Sequence, residues 1–196
     1  MRQPWSVAGF ILLAAASGAC YPDRLSNTNY DAVITSYDTT ASFSAVTYFL
    51  RDTVVHLVPP GQRDDISRVY DAQIIATVRQ NMGAAGYISL PDTNGADLQV
   101  GIAASTTDYT GYYWNYWCDW WWGYYGCYYP PYWGTYSYTV GTLMVALGDR
   151  RKVDGNGNRS LIWMGLGNGV AGYNDLSRIT AAINQMFTQS PYIKAH

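Results

Sequence analysis

The chain has 196 residues, a formal net charge of −2 at pH 7 and a charged fraction of 13%. It contains no Glu and only two Lys, so Asp supplies all of its acidic side chains. Nucleic-acid binding requires clustered Lys and Arg that neutralise phosphates, but the most basic run, Arg150 to Lys152, stands beside Asp149 and Asp154. We interpret this run as a solvated turn and expect no nucleic-acid partner.

The first twenty residues have the pattern of a bacterial lipoprotein export signal. Arg2 precedes an apolar stretch from Val7 to Ala16, and small residues then lead to Cys20. The stretch is about half the roughly 20 residues that a membrane-spanning helix needs. We therefore predict a signal peptide at 1–19 and cleavage that leaves Cys20 as an acylated, membrane-anchored N-terminus. A lipoprotein signal peptidase prefers Leu where this chain has Ser17, so ordinary secretion with cleavage nearby is the alternative.

The rest of the chain divides into a short tether and one domain. Residues 20–29 are mostly polar and irregular, which suits a tether between the lipid and the folded body. Residues 30–196 have a length typical of a single domain, with an aromatic-rich insert at 109–138. Runs of β-branched and aromatic residues predict strands at 30–34 and 46–50.

A first amphipathic helix is predicted from Asp64 or Asp65, either of which can cap its N-terminus, to about Met82. Apolar residues recur three or four apart over this range, and Gly83 and Gly86 favour its end. We interpret the apolar stripe as part of the core.

Alternating apolar and polar residues predict three later strands, at 97–104, 141–147 and 161–166. The last two are expected to pair as a hairpin, because the turn-rich residues 154–158 separate them. Asn174 can cap a final amphipathic helix that stops before Pro191. This order of elements predicts an α+β fold, with a mainly antiparallel sheet and two helices packed on one face.

Several short motifs, taken in order, resemble a known family. They are Tyr37-Asp38, Phe43-Ser44, Thr47-Tyr48, Gly86-Tyr87, Asp97-Leu98 with Val100, Gly141-Thr142-Leu143, Asp149, and Ile162-Trp163 with Gly165. Together with the closing helix, their order and spacing resemble the lipoprotein family classed as domain of unknown function 4136. The resemblance implies an envelope lipoprotein with a compact α+β domain, and it brings no established activity or catalytic residue.

Residues 109–138, here called the aromatic segment, are more aromatic than the corresponding connection of that family. They include eleven Tyr and six Trp. Cys118 and Cys127 lie within the segment, and because lipidation would use Cys20, we expect these two to form a disulfide in an oxidising compartment. The bond would brace a loop that presents aromatic rings. The predicted binding residues are Tyr112, Trp114, Trp117, Trp120, Trp121, Trp122, Tyr124 and Tyr125.

The combined area of these rings is larger than the apolar patch that a monomer normally exposes to water without a partner. Four interpretations stay open. The aromatic segment covers the protein's own sheet or self-associates, contacts an envelope protein, stacks on glycan, or lies in the membrane interface.

No pattern in the chain predicts a catalytic, metal or cofactor site. Residues 167–172 match a dinucleotide-binding fingerprint, but the second parallel strand and the acidic residue that this site needs are missing. His56 is the one plausible general base, and its β-rich surroundings predict a strand position with a satisfied imidazole.

The combined prediction is a non-enzymatic lipoprotein of the bacterial outer membrane that faces the periplasm and makes contacts through the aromatic segment. Tyr21, which follows the lipidated cysteine where a retention signal would have Asp, is compatible with passage to the outer membrane. The alternative is a cell-wall glycan hydrolase or other envelope enzyme, with Asp108 or Asp119 as acid or base.

Overall fold

A computed structural model gives the fold and describes residues 32–58, 61, 63–105, 109–110, 127–128, 137–138, 141–153, 159–170 and 175–196. The predicted signal peptide, the tether and Cys20 lie outside these residues. Within the aromatic segment, the structure describes only the backbone of residues 109–110, 127–128 and 137–138.

The described residues form ten strands and two helices. The strands are β1 (Ala32–Tyr37), β2 (Thr47–Leu50), β3 (Val55–Leu57), β4 (Ile88–Leu90), β5 (Leu98–Ser105), β6 (Tyr109–Thr110), β7 (Cys127–Tyr128), β8 (Ser137–Tyr138), β9 (Thr142–Val153) and β10 (Arg159–Asn168). The helices are α1 (Asp71–Ala84) and α2 (Leu176–Thr188).

Eight of the strands form one mixed sheet in the order β1-β10-β9-β5-β2-β4, with β3 beside β5 and β7 beside β10. The pairs β1/β10, β10/β9 and β9/β5 are antiparallel, whereas β5/β2, β2/β4, β5/β3 and β10/β7 are parallel. The predicted α+β class is confirmed, and the long pairings are antiparallel as expected. The sheet is nevertheless mixed, because α1 lies between β2 and β4 in the chain and such a crossover returns the chain in the same direction.

Helix α1 begins later than the sequence predicts. The helix starts at Asp71, and neither Asp64 nor Asp65 caps it. Asp64 instead accepts hydrogen bonds from the Ile66 N–H (3.1 Å) and from His56 (3.0 Å). Its carboxylate therefore stabilises the loop that precedes α1 and does not cap the helix.

Helix α2 has the predicted apolar stripe but a different cap. Asp175 occupies the N-cap in place of Asn174, and its Oδ1 accepts hydrogen bonds from the N–H groups of Ser177 (2.9 Å) and Arg178 (3.4 Å). The hydrogen bond from the Ser177 hydroxyl, with those from the two N–H groups, holds the pKa of Asp175 below its usual value. The stripe is buried at Ile179, Ile183 and Met186.

Strands β9 and β10 form the predicted antiparallel hairpin, with both strands longer than expected. Because β9 continues to Val153, the run from Arg150 to Lys152 lies in a strand and not in a solvated turn. Asp149 is fully buried there, and it accepts hydrogen bonds from the Nε and Nη2 atoms of Arg151, each at 3.0 Å.

Both helices contribute to one apolar core with side chains of β2, β5, β9 and β10. Helix α1 contacts α2, and α2 also contacts β1 and β10. The largest buried side chain is Trp163 of β10. Within the described ranges, neither helix is long and apolar enough to cross a membrane.

Candidate functional site

Most of the predicted site residues lie outside the described part of the chain. They are Cys20, Asp108, Tyr112, Trp114, Trp117, Cys118, Asp119, Trp120, Trp121, Trp122, Tyr124 and Tyr125. Cys127 is described by its backbone, which forms β7 and aligns with Arg159 of β10. Lipidation, the disulfide and the aromatic contact therefore stay predictions.

The described residues bring a histidine together with two carboxylates. The Nδ1 atom of His56, in β3, lies 3.0 Å from both carboxylate oxygens of Asp64, and its Nε2 lies 3.8 Å from Oδ1 of Asp71. Arg68 connects the two carboxylates, with Nη2 3.4 Å from Asp64 and Nη1 3.3 Å from Asp71. The cluster joins β3 to the first turn of α1.

The surroundings of Asp64 favour its ionised form. Burial alone would raise its pKa, but hydrogen bonds from His56 and from the Ile66 N–H, together with the charges of His56 and Arg68, outweigh burial and lower it. An ionised carboxylate beside Nδ1 fixes the orientation of the imidazole ring.

The His56 imidazole is nevertheless not presented to a substrate. Its side chain is 2% exposed, and Nε2 is buried without a hydrogen-bond partner among the described residues. A general base must come within hydrogen-bond reach of the proton that it removes. The predicted strand position of His56 is confirmed, the imidazole is satisfied at Nδ1 alone, and the arrangement serves as a structural link.

An open cleft of about 620 Å³ lies where β2 and β4 end. These strands are parallel, and the carboxyl ends of parallel strands are a common place for ligands. Asp52 and Arg79 form an ion pair in its wall, so the protein itself neutralises the Arg79 charge. The cleft is lined by Phe49, Leu50, Arg51, Asp52, Thr53, Arg79, Ser89, Leu90 and Pro91. The sequence gives no signal for it, because these residues come from three separate parts of the chain.

A family model described as a domain of unknown function (DUF4136) matches residues 33–192. The chain belongs to this family. A crystal structure of a DUF4136 family protein from Bacteroides thetaiotaomicron VPI-5482 is similar, with 28% sequence identity and a TM-score of 0.60, covering 85% of this chain and 98% of that one. The resemblance read from the sequence motifs is thereby confirmed. No curated protein matches the chain.

Two other solved structures are less similar to this DUF4136 protein. A PelC dodecamer from Paraburkholderia phytofirmans is 12% identical, with a TM-score of 0.43, over 85% of this chain and 99% of that one. A PDZ domain protein from Parabacteroides distasonis ATCC 8503 is 12% identical, with a TM-score of 0.45, over 84% of this chain and 36% of that one. At 12% identity and TM-scores below 0.5, neither structure indicates the function of this chain.

Asp97, one of the DUF4136-like motif residues, joins the start of β2 to the start of β5. Its Oδ2 accepts hydrogen bonds from the N–H groups of Val46 (3.0 Å) and Thr47 (3.2 Å). The Thr47 hydroxyl also accepts a hydrogen bond from the Asp97 N–H and donates one to the Gly95 carbonyl, each at 3.0 Å. The bond from Val46, with those from Thr47, outweighs burial and holds the pKa of Asp97 below its usual value.

Replacing Asp97 by Asn should lower the free energy of unfolding by about 1–2 kcal/mol at neutral pH, because two N–H groups lose a charged acceptor. Since the pKa is lowered on folding, the ionised carboxylate stabilises the fold above its unfolded-state pKa, and this contribution is lost as pH falls through the folded-state value. Urea unfolding of both proteins from neutral pH to about pH 2 should therefore show the difference shrinking at acid pH. A difference independent of pH would contradict the assigned role.

Two further motif residues, Trp163 and Gly165, form a tight contact with α2. The Nε1 atom of Trp163 donates to the Ser190 hydroxyl at 2.9 Å, and its ring centre lies 5.4 Å from that of Phe187. A Cβ at Gly165 would lie 2.8 Å from the Trp163 ring and 2.9 Å from Met186, so a side chain there would require both to move. These motif residues hold the fold together and do not form a reactive site.

Proposed function

We propose that the protein is a non-enzymatic cell-envelope lipoprotein, held at the outer membrane by acyl chains on Cys20, that makes contacts through the aromatic segment on the periplasmic side. The observation that carries the proposal is the place of Cys20, between a lipoprotein-type signal and a family domain that begins at residue 33. The run from Tyr21 to Asp31 spans at most about 40 Å when fully extended. Lipid on Cys20 would therefore keep the domain near the bilayer surface.

The chemistry of the described residues supports a role without catalysis. The Nε2 atom of His56 is buried, and the carboxylates of Asp97 and Asp149 hold backbone or side-chain donors of the protein itself. Over the described ranges, no group of three His, Cys, Asp or Glu is placed to hold a metal ion. The alternative, an enzyme that uses Asp108 or Asp119 as acid or base, depends on residues outside the described ranges, so no observed distance or contact supports it.

The aromatic segment is the strongest candidate for the contact surface. Each Tyr or Trp offers about 150–250 Å² of area and a polar group that can hydrogen-bond at a wet boundary. A few such side chains together exceed the apolar patch that a monomer normally exposes. The partner classes that fit are an envelope protein, a second copy of the chain and a glycan.

Metabolic labelling with a fatty-acid probe tests the anchor. Wild-type protein is expected to take up the label and to fractionate with the outer membrane, whereas Cys20→Ala should lose both, because the acyl chains need this cysteine. Cys118→Ala is the matched control and should keep the label. An unlipidated mature protein that begins at another residue would overturn the proposal.

The contact role has a separate test. Purified wild-type protein should sediment with cell-wall material, self-associate in light scattering or capture an envelope protein, and a variant carrying Trp120→Ser, Trp121→Ser and Trp122→Ser should lose that association. Val69→Ser removes an apolar side chain that is 71% exposed outside the aromatic segment, and it should bind as wild type does. Equal association of the triple variant and wild type would count against a contact role for these rings.

A further inference from the structure

The chain leaves the sheet between β2 and β3, beside the cleft where β2 and β4 end. Leu50 aligns with Val100 of β5, and Val55, the first residue of β3, aligns with Ala103. Residues 51–54 therefore stand opposite only two residues of β5, so the ladder is interrupted here. Such interruptions occur more often at sheet edges and beside functional sites than elsewhere. The first three residues of this one line the cleft.

The cleft combines an apolar wall with a charged one. Phe49 and Leu90 are half-buried and supply apolar surface, whereas Arg51 and Asp52 enter from the interruption and Arg79 enters from α1. All of the lining residues lie within the described ranges. The volume of about 620 Å³ falls within the range of about 300–1,000 Å³ that is usual for ligand sites. Such sites also pair apolar walls with a few polar groups that orient the ligand.

The charges in the lining favour an anion. Two Arg and one Asp are its only charged residues, so the lining has a formal charge of +1, in a chain whose net charge is −2. The planar guanidinium of Arg donates two parallel hydrogen bonds to a carboxylate or phosphate. Because ionised phosphate carries more than one negative charge near neutral pH, a single carboxylate matches the charge of the lining better.

The ion pair between Arg79 and Asp52 does not close the cleft to an anion. The Arg79 side chain is 43% exposed and that of Asp52 is 80% exposed. Ion pairs so exposed contribute little, because water screens the charges and both long side chains lose freedom. A carboxylate ligand can therefore replace Asp52 at Arg79 while Asp52 turns to water. A ligand with an apolar part also buries surface against Phe49 and Leu90, which Asp52 does not.

We propose that this cleft binds a small organic carboxylate, with its carboxylate on Arg79 and its apolar part against Phe49 and Leu90. The hydroxyls of Thr53 and Ser89 belong to the same lining and can hydrogen-bond to further polar groups of the ligand. The binding role is separate from the lipid anchor and from the contacts of the aromatic segment, so it holds or fails independently of the proposed function.

Titration of the purified protein with phenylacetate, followed by NMR of the backbone amides, tests the proposal. The amides of residues 51–53 and 89–90 should shift and saturate. Phenylacetamide, which has the same shape without the charge, should bind at least about tenfold more weakly. Inorganic phosphate should also bind more weakly, because it has no apolar part. Shifts confined to other residues, or equal binding of either comparison compound, overturn the proposal.

Two substitutions at the ion pair should change the affinity for phenylacetate in opposite directions. Arg79→Gln removes the group that binds the carboxylate and should weaken binding by about tenfold. Asp52→Asn removes the competing carboxylate and should tighten binding by about two- to fivefold. Arg63→Gln removes a positive charge that is 88% exposed outside the cleft, and it should leave the affinity unchanged.

The opposite signs distinguish a binding site from an ion pair that only stabilises the fold. If Arg79→Gln and Asp52→Asn weaken binding equally, or if neither changes it, the proposal is overturned. An effect of Arg63→Gln as large as that of Arg79→Gln would show attraction by net charge alone and would also overturn it. If the NMR spectrum of Arg79→Gln shows an unfolded chain, the affinity of Asp52→Asn decides.

Discussion

Replacing Trp163 by Ala should lower the free energy of unfolding by about 3–5 kcal/mol, the range observed when a large buried aromatic side chain is removed. Trp163 is fully buried, and its loss would leave a cavity between β10 and α2 next to Phe187. Gly165 would lose the ring that packs over it, and the hydroxyl of Ser190, itself 1% exposed, would lose its indole donor. Urea unfolding followed by far-ultraviolet circular dichroism measures the change.

Ser190→Ala is the matched control for the Trp163 prediction. It removes the acceptor of the hydrogen bonds from Trp163 and Tyr192 and keeps the ring, so it should lower the free energy of unfolding by a smaller amount, about 1–2 kcal/mol. Equal effects of Trp163→Ala and Ser190→Ala would show that the hydrogen bond, and not packing, makes Trp163 important.

Replacing Asp149 by Ala should have the second largest effect, lowering the free energy of unfolding by about 2–3 kcal/mol. The carboxylate is fully buried and accepts hydrogen bonds from the N–H, Nε and Nη2 of Arg151 at 2.9–3.0 Å. Arg151 is 38% exposed, so its charge can still reach water after the substitution, which limits the loss. The hydrogen bond from Arg151 to this carboxylate also raises the pKa of Arg151.

The Arg63–Asp65 pair offers a control with the same two residue types. Its atoms lie 2.8 Å apart, but both side chains are well exposed. Asp65→Ala should therefore change the free energy of unfolding by no more than about 0.5 kcal/mol. If Asp149→Ala and Asp65→Ala have similar effects, burial does not determine the value of the Asp149 contact.

Segments whose burial follows a simple period could be predicted from the sequence. The alternation in β5 and in the β9–β10 hairpin identifies the side chains that face the helices, and the stripe along α2 identifies the side that faces the sheet. The alternation does not reveal that the other side of β5 is buried as well. The boundaries were less predictable. A run that includes Arg150 and Arg151 has the composition of a turn, yet it continues β9 because the buried Asp149 takes up the Arg151 charge.

The start of α1 depends on a contact made outside the helix, and the parallel part of the sheet depends on pairing between distant residues. Asp64 has the sequence context of a helix cap, but its bond to His56 places it in a loop. β4 has only three residues, too few for alternation to reveal a strand, and the direction of β2 is set by its pairing with β4 and β5. No local pattern contains this information.

The candidate sites were predictable to different degrees. The motifs around Asp97, Asp149 and Trp163 identify the family, and the structure shows that each makes an internal contact. The cleft where β2 and β4 end was missed, because its lining comes from three separate segments. The His56 cluster was also missed: its members all lie between residues 56 and 71, but they match no motif and meet only because β3 and α1 bring them together. The aromatic segment was recognised from composition alone, and composition does not say which rings face outward.

The position of β1 determines how the domain would bear mechanical load. Any tension along residues 20–31 enters the domain through β1, which pairs with β10 and, among the described strands, with no other. Its ladder has six residue pairs, and Ile34 and Tyr37 are partly exposed. By contrast, β5 is buried along its whole length and β9 over its first eight residues. If residues 20–31 bear tension, the first element to be loaded is therefore an edge strand that is held along one side.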